Sequence, residues 1–332
     1  MFVDAHIRKC TCNQDMKKIA FWLNDLGERG TAVAVYDYAY YNQLYFGNKS
    51  YILYEKNNAF NADAVIDKFS KEFTLQPCTN FSEVDVYLVK HDIQILYVIK
   101  SGGDDKKVSN FARTFVHCVF ECTQPHGDIY ASISDSVIGW EPYIPILPHM
   151  INLPQHSEDM RVKLGIPKDA TVFGRYGGKQ QFDIVGIHDL IYQIALHNPN
   201  LYFMFVNTNI FCPSLPNIIH LHAIIDLHEK RCFINTCDAM LWARHDGETF
   251  GLSIGEFSTC NKPIIAYRHE NISSDFHIKT LKNNAYWFKT ADELVHILTS
   301  FNREKAMEKD WNMYKEYTPE NVMNIFKHLV LE

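Results

Sequence analysis

Apolar runs of strand length alternate with runs of helical period through most of this 332-residue chain. Such alternation predicts an α/β fold, in which helices cover both faces of parallel sheets. In the first half we predict strands at 2–7, 31–36, 51–54, 93–99, 115–120 and 129–133, and helices at 15–26, 62–73 and 81–90. In the second half we predict a helix at 158–164, a strand at 171–174, a helix at 183–197 and a strand at 201–206. The segments 218–225, 228–236, 238–243, 251–259 and 263–267 continue the alternation.

A proline-rich segment at 141–155 interrupts this pattern. It has no helical period and contains Pro142, Pro145, Pro148 and Pro154. Because prolines favour extended backbone, we predict a connector and place the domain boundary here. Residues 1–147 then form an N-terminal Rossmann-like domain and residues 148–317 a second one. The two doubly wound domains are expected to face a cleft. Residues 318–332 form a final helix, with Thr318 as its N-cap and Pro319 in its first turn.

Composition excludes several classes of function. The chain has 32 basic and 39 acidic residues and no long basic run, so nucleic acid is not an expected partner. The apolar fraction of 47% is large enough for two cores and argues against disorder. The nine cysteines are irregularly spaced, which is typical of reduced thiols in a cytoplasmic protein. No metal site is predicted, because Cys10 and Cys12 lack a second cysteine pair at zinc spacing.

The first residues of the chain carry a charge within their first four positions and lack the long apolar run of a signal peptide. No stretch of about 18 apolar residues occurs anywhere in the sequence. We therefore predict a cytoplasmic protein without a membrane span.

Two glutamates stand eight positions apart: Glu248 follows a predicted strand, and Glu256 lies on the predicted helix that comes next. Ligands of open α/β sheets bind at the carboxyl ends of strands, where Glu248 would lie. Ionised carboxylates accept hydrogen bonds and donate none, so the pair suits a ligand with two separated sets of hydroxyls. Two solvated helix charges at this spacing are the alternative interpretation.

The strand at 171–174 leads into a cationic glycine turn that contains Arg175, Gly177, Gly178 and Lys179. Glycines let backbone N–H groups approach an anion closely, and the two cations would add a forked donor and a point charge. The turn therefore suits a diphosphate, and two solvated cations on a plain turn are the alternative. It lacks the Gly-Lys-Ser/Thr ending of NTPase phosphate loops, and no Gly-x-Gly-x-x-Gly follows a strand.

Taken together, these motifs resemble the retaining glycosyltransferases of family 4, which have the GT-B fold. The family's elements occur in their usual order over residues 160–268, and the first domain matches loosely. They are a Leu-Gly-Ile-Pro turn at 164–167, the Phe-Gly-Arg strand end at 173–175, a strand at 218–221, the Glu-x7-Glu block and the run Lys-Pro-Ile-Ile-Ala at 262–266. The resemblance also implies that the C-terminal helix crosses back to the N-terminal domain.

The resemblance implies a role for each acidic and basic site residue. Glu248 would hold hydroxyls of the donor sugar, and Glu256 would accept from the ribose hydroxyls. Arg175 and Lys179 would neutralise the diphosphate leaving group. The strand-end His117 resembles a histidine that contacts the donor sugar, with a packed core histidine as the alternative. We predict that the catalytic residues are Glu248, His117, Arg175 and Lys179.

Backbone groups would complete the donor site that the resemblance implies. Those at the helix start would approach the sugar and diphosphate, because a helix N-terminus favours anions. Backbone groups at 223 and 224 would edge the nucleobase. The predicted donor-binding residues, besides Glu256, are Gly177, Gly178, Ala223, Ile224, Thr249, Phe250, Gly251 and Leu252.

Two features depart from the family's pattern. Lys179 is followed by Gln180 rather than by glycine, and residues 10–14 stand where the family has a Gly-Gly loop after the first strand. The way in which the first domain approaches donor or acceptor therefore stays open.

The predicted function is that of a metal-independent hexosyltransferase. It would move a hexose or deoxyhexose from a nucleoside-diphosphate sugar to a glycan, a glycoconjugate or another hydroxyl acceptor, with retention of configuration. No cofactor is expected, and a GDP-sugar such as GDP-mannose is favoured over a UDP-sugar. A sugar-nucleotide epimerase of GT-B fold and a non-catalytic nucleotide-sugar-binding protein are the alternatives. The sugar, base, acceptor, nucleophile and oligomeric state stay open, with a homodimer among the candidates.

Overall fold

The computed structural model describes residues 16–137, 143–268 and 274–332. The predicted strand at 2–7 and the atypical loop at 10–14 lie outside the described residues. Within those ranges the chain forms two sheets of six strands each, and all strand pairs are parallel.

The first sheet and its helices are built from residues 18–132. The strands are β1 (Lys18–Leu23), β2 (Lys49–Glu55), β3 (Thr74–Cys78), β4 (Ile95–Lys100), β5 (Arg113–Cys118) and β6 (Ile129–Ser132). The helices are α1 (Gly30–Phe46), α2 (Asp63–Ser70) and α3 (Ser82–His91). The strand order is β3-β2-β1-β4-β5-β6.

The second sheet has the same topology. Its strands are β7 (Thr171–Tyr176), β8 (Leu201–Val206), β9 (Ile218–Leu221), β10 (Ala239–Trp242), β11 (Ile264–Tyr267) and β12 (Tyr286–Phe288). The helices are α4 (Arg161–Leu164), α5 (Ile187–His197), α6 (Leu227–Thr236), α7 (Leu252–Thr259), α8 (Phe276–Leu281), α9 (Ala291–Ser300) and α10 (Arg303–Met307). The strand order is β12-β11-β10-β7-β8-β9.

Strand order reverses once in each sheet, between β1 and β4 in the first and between β7 and β10 in the second. Loops that leave neighbouring strands at such a switch point diverge and open a crevice, which is where ligands bind in doubly wound sheets. The cationic glycine turn lies at the end of β7, and Glu248 lies in the loop after β10. The topology therefore brings the two sequence motifs to one edge of the second sheet.

The predictions for the start of the first domain are wrong at two elements. Residues 15–26 contain strand β1 rather than a helix, and residues 31–36 belong to helix α1 rather than to a strand. Ile19, Ala20, Phe21, Trp22 and Leu23 are all buried, as expected for a central strand that is covered on both faces. Such a continuous apolar run fits a helical period as well as a strand, so periodicity alone misassigned it.

Because β1 and α1 were misassigned, the loop between them was not predicted. That loop contains Gly27 and runs into Gly30 at the start of α1. A Cβ at Gly30 would lie 3.1 Å from Cδ1 of Leu252, so the loop closely approaches the second domain. A glycine-containing loop thus faces the cleft here, at a position that the sequence analysis did not assign.

The other predicted segments coincide with observed elements, apart from shifts of a few residues at their ends. The strand predicted at 201–206 matches β8 at both ends. The alternation does not predict β3, β12 or helices α8 to α10. Residues 143–160 form neither a helix nor a strand, apart from one isolated bridge at Ile146. None of the helices in the described ranges is both long enough and apolar enough to span a bilayer.

The last helix, α11 (Pro319–Phe326), continues into a π-helical turn at Lys327–Leu331. The hydroxyl of Thr318 caps it by accepting from the backbone N–H of Asn321 at 3.3 Å. The ring of Phe326 stacks on Tyr38 of α1 and Phe21 of β1, with centroids 5.6 and 6.4 Å apart. The final helix therefore packs into the core of the first domain.

We expect Phe326→Ala to lower the free energy of unfolding by about 3–5 kcal/mol, because it empties a wholly buried ring position. Ile325→Ala on the same helix is the matched control. That side chain is 37% exposed, and its loss should cost less than about 1 kcal/mol. Urea unfolding followed by tryptophan fluorescence measures both values. Equal losses would show that α11 is not anchored through Phe326.

Candidate functional site

A partly open pocket lies between the two domains, and the space of about 510 Å³ that it spans includes open solvent. The first domain contributes residues of the glycine-containing loop, α1 and α2. The second domain contributes Tyr176 at the end of β7, Asn207 after β8 and Lys230 of α6. Ala223 and Ile224, which the sequence analysis assigned to the nucleobase edge, also line it.

Glu248 lies in the loop after β10 and is held by two donors. Nε1 of Trp242 donates to Oε1 at 3.0 Å, and Nη1 of Arg244 donates to Oε2 at 3.2 Å. The side chain is only 17% exposed. Its backbone N–H donates to the carbonyl of Ser274 at 2.8 Å. The carboxylate is therefore fixed in place, and each oxygen keeps a lone pair for a further donor. Sequence reasoning missed Trp242 and Arg244, although both stand within six positions of Glu248.

Residues Thr249 to Leu252 form a tight turn into α7. The buried ring of Phe250 packs against Phe276, and its carbonyl accepts from the hydroxyl of Tyr314 at 2.9 Å. Gly251 has a φ of 81°, which side chains rarely adopt, and it is the N-cap of α7. No side chain caps this helix start. Its first N–H groups are therefore available to an anion, which the helix dipole also favours.

The two domains contact each other at this turn. The hydroxyl of Ser134, which follows β6, donates to the carbonyl of Thr249 at 2.5 Å. Two residues further on, the hydroxyl of Ser136 donates to Oδ1 of Asp275 at 2.8 Å. The first domain therefore supports the loop that carries Glu248.

Glu256 lies on α7 and is buried together with Lys230 of α6. Nζ of Lys230 donates to Oε1 of Glu256 at 2.8 Å, and the two side chains are 3% and 5% exposed. Oε2 of Glu256 has no hydrogen-bond partner among the described residues. Burial alone would lower the pKa of Lys230, but attraction to Glu256 raises it above its usual value, so the ammonium stays charged. No motif in the sequence marked Lys230.

Asp37 and Lys68 bring two more charges to this pair from the first domain. Burial raises the pKa of Asp37 to about 7, while Lys68 and Lys230 lower it and Glu256 raises it. Nζ of Lys68 lies 3.5 Å from the carbonyl of Ile225 across the domain boundary. Asp37, Lys68, Lys230 and Glu256 therefore form one interface charge cluster, to which each domain contributes an acid and a base.

The two cations of the glycine turn occupy different environments. Arg175 is 4% exposed and donates to the carbonyls of Asn207 and Gly178, at 3.3 and 2.8 Å, and to the hydroxyl of Thr208. It thereby ties the loops after β7 and β8 together. Burial lowers its pKa to about 10, although the attraction of Glu248 raises it, so the guanidinium remains charged near neutral pH.

Lys179 is exposed and reaches toward the first domain. Its Nζ lies 3.9 Å from Oε2 of Glu28 in the glycine-containing loop, and its side chain is 65% exposed. A Cβ at Gly177 would lie 3.0 Å from Nη2 of Arg175, so this glycine allows the turn to fold over the guanidinium. Lys179 is thus the accessible cation of the motif.

His117 lies at the end of β5 and is fully buried. Its Nδ1 is 2.5 Å from the hydroxyl of Tyr97, and its ring lies 5.7 Å from that of His149. Burial lowers its pKa to about 3, so the imidazole is neutral. This environment agrees with the packed-core alternative, and a contact between His117 and a sugar stays a prediction.

Several of the predicted residues lie at or near the interface between the domains, and two of them line the pocket. Glu248 and the start of α7 lie where the glycine-containing loop approaches Leu252. Ala223 and Ile224 line the same interdomain pocket as Lys230, the partner of Glu256. Fixed carboxylates, accessible N–H groups and cations are the groups needed to bind a ligand rich in hydroxyls and phosphates.

No protein-family model matches the chain, and no curated protein sequence matches it. The fold is nevertheless similar to that of several solved proteins. A glycosyltransferase from Rickettsia africae ESF-5 is similar over 95% of this chain and 99% of its own, with 13% identity and a TM-score of 0.66. Anabaena Alr3699/HepE in complex with UDP-glucose is similar over 94% of this chain and 99% of its own, with 13% identity and a TM-score of 0.67.

WaaG, a glycosyltransferase involved in lipopolysaccharide biosynthesis, is similar over 92% of this chain and 94% of its own, with 12% identity and a TM-score of 0.55. Identities this low show a shared fold alone. The prediction of a GT-B architecture with two Rossmann-like domains is confirmed.

The stability of the protein should depend on pH through Asp37. The pKa of this carboxyl is about 7 in the folded protein and about 4 when unfolded. The folded state keeps a proton that the unfolded state releases in that window, so the free energy of unfolding falls as pH rises from 4 to 7. Asp37→Asn removes this contribution. We expect the free energy of unfolding of Asp37→Asn, minus that of the wild type, to increase from pH 4 to pH 7 and to level off above pH 7.

Asp169→Asn provides the control, because it replaces an exposed carboxylate outside the interface charge cluster. Urea unfolding at intervals between pH 4 and pH 8 measures all three proteins. A constant difference between Asp37→Asn and wild type would contradict the assignment.

Proposed function

We propose that this protein is a glycosyltransferase that binds a nucleoside-diphosphate sugar in the cleft and transfers the sugar with retention of configuration, as in family 4. One observation carries the proposal. The fixed carboxylate of Glu248, the uncapped start of α7 and the buried Glu256 follow one another along a single loop and helix at the switch point of the second sheet. Their order along this loop and helix suits the order of sugar, diphosphate and ribose along such a donor.

Glu248 would bind hydroxyls of the donor sugar. Trp242 and Arg244 already hold both of its oxygens, so the carboxylate does not need to reorganise when the substrate arrives. Preorganised polar groups of this kind stabilise a transition state more effectively than mobile ones. The hydrogen bond that the hydroxyl of Ser134 of the first domain donates to the carbonyl of Thr249 would keep this geometry when the cleft is occupied.

The leaving diphosphate would gain negative charge during transfer. The N–H groups at the start of α7 and the ammonium of Lys179 would stabilise it, with Arg175 adding positive potential from beneath the turn. In this proposal no metal takes part, and the nucleotide sugar is a substrate rather than a cofactor. Closure of the domains would exclude water and limit hydrolysis of the donor.

Glu256 would bind the ribose hydroxyls through Oε2, which is unpaired but shielded from solvent, so binding would require the interface to open at this point. Lys230 occupies the other oxygen, so one acceptor position is left for a ligand. Ala223 and Ile224 would flank the base. The donor predicted from the sequence is a GDP-sugar, whereas HepE, which has a similar fold, was solved in complex with UDP-glucose and with UDP. We therefore propose that both bases be tested.

Calorimetric titration with UDP, UDP-glucose, GDP and GDP-mannose tests the binding step. We expect one of the two nucleotide series to bind, and Glu256→Gln to weaken that binding by about 1–3 kcal/mol because a charged acceptor is lost. The amide keeps an oxygen for Lys230, which limits damage to the fold. Glu229→Gln, at an exposed acid of α6, should leave the affinity unchanged. Failure of every nucleotide and nucleotide sugar to bind would reject the proposal.

Turnover of the donor that binds tests the chemical step. Glu248→Gln should lower the rate of sugar transfer or donor hydrolysis by about 100- to 1,000-fold, as expected when one preorganised electrostatic contact is lost. Asp246→Asn in the same loop is the control, since its side chain is 72% exposed. Mass spectrometry identifies the products. An epimerised nucleotide sugar, or binding without any turnover across an acceptor panel, would favour one of the alternative functions.

A further inference from the structure

Three side chains that can bind metals lie together outside the cleft. His156 comes from the connector between the domains, and His228 and Cys232 come from α6. One ligand atom from each residue lies within 4.8 Å of the other two. His228 and Cys232 are four positions apart, so they lie on the same face of the helix. The cluster takes no part in the proposed sugar transfer.

The geometry around His228 orients the ring for metal binding. Its Nδ1 lies 3.8 Å from Sγ of Cys232, and its Nε2 lies 3.6 Å from Oε1 of Glu158. A carboxylate that accepts the proton of one ring nitrogen leaves the lone pair of the other nitrogen free for a metal. At 3.6 Å this contact is longer than a hydrogen bond, but its electrostatic attraction would favour the tautomer that carries its proton on Nε2 and leaves the Nδ1 lone pair facing Cys232.

His156 supplies the third ligand. Its ring stacks on that of His228, with centroids 4.0 Å apart and planes inclined by 21°. Both of its ring nitrogens are shielded from solvent and have no hydrogen-bond partner within the described part of the chain. Buried polar atoms without a partner are costly, and coordination would satisfy one of them.

The connector is already held in position for such a site. Nδ2 of Asn235, on the same helix α6, donates to the backbone carbonyls of both His156 and Glu158 at 2.9 Å. The backbone that carries the third ligand and the supporting carboxylate is therefore fixed to the helix that carries the other two. Little ordering of the chain would accompany metal binding.

Local charge also favours a cation. Three carboxylates, those of Glu158, Asp159 and Glu229, lie near Cys232. These same carboxylates attract a divalent ion. A metal that binds here would displace the thiol proton, because the thiolate is the ligand.

We propose that His156, His228 and Cys232 form a zinc site. Two imidazole nitrogens and one thiolate match the ligand preference of Zn²⁺, and water would complete the tetrahedron. The ion would fasten the interdomain connector to α6, the helix that also carries Lys230. This site departs from the sequence analysis, which predicts no metal.

Metal titration of the full-length protein, after removal of any affinity tag, tests the proposal. We expect the wild type to bind one equivalent of Zn²⁺, measured by elemental analysis after gel filtration, and to bind Co²⁺ with the absorption band of a thiolate–cobalt bond. Cys232→Ser and His156→Ala should lose both signals. Cys212→Ser, at a partly buried cysteine of the same domain, should keep both.

Glu158→Gln tests the supporting carboxylate, and because Glu158 is exposed we expect this variant to fold. It should keep the cobalt band and weaken zinc binding by about 10- to 100-fold, the usual effect of losing a supporting carboxylate. Thermal melts with and without Zn²⁺ provide a second readout, since the metal should stabilise the wild type and not Cys232→Ser. The proposal is overturned if the wild type binds no stoichiometric zinc, or if Cys232→Ser binds it as well as the wild type. Neither result bears on nucleotide binding.

Discussion

The buried ion pair of Lys230 and Glu256 is the interaction around which the interface between the domains is organised. Two charges removed from water are tolerated only when each has a partner, and loss of one partner is strongly destabilising. Here the pair also meets Asp37 and Lys68 from the other domain. The relative position of the domains is therefore coupled to Lys68 and Lys230, which also line the pocket.

The two glutamates of the Glu-x7-Glu block have the same chemistry but different environments. Glu248 is held at the surface of a loop by Trp242 and Arg244, while Glu256 is buried in a helix against Lys230. The first is a fixed acceptor at the edge of the cleft, and the second keeps a single free oxygen. Because one turn separates them, a change in the turn at Gly251 would alter the distance between them and affect both ends of a bound ligand.

The sequence predicts the second domain well as far as β11, because each motif in that part is local. Glu248, Glu256, Arg175 and Lys179 sit at strand ends or helix starts that the alternation of elements places at one edge of a sheet. The first domain is predicted poorly at β1 and α1, since a strand buried on both faces has no period of its own. Partners that come from elsewhere in the chain leave no such signal. Lys230 and Asp37 meet only in the folded interface, and His156 is distant in sequence from the helix that it contacts.

The position of Phe326 affects the order in which the two domains can fold. The core of the first domain includes a ring from the last helix, so this domain lacks part of its interior until residue 326 has left the ribosome. Domains of most long proteins form in the order in which they are synthesised. In this chain the second domain can be complete first, and the domain that begins earlier waits until α11 has been synthesised.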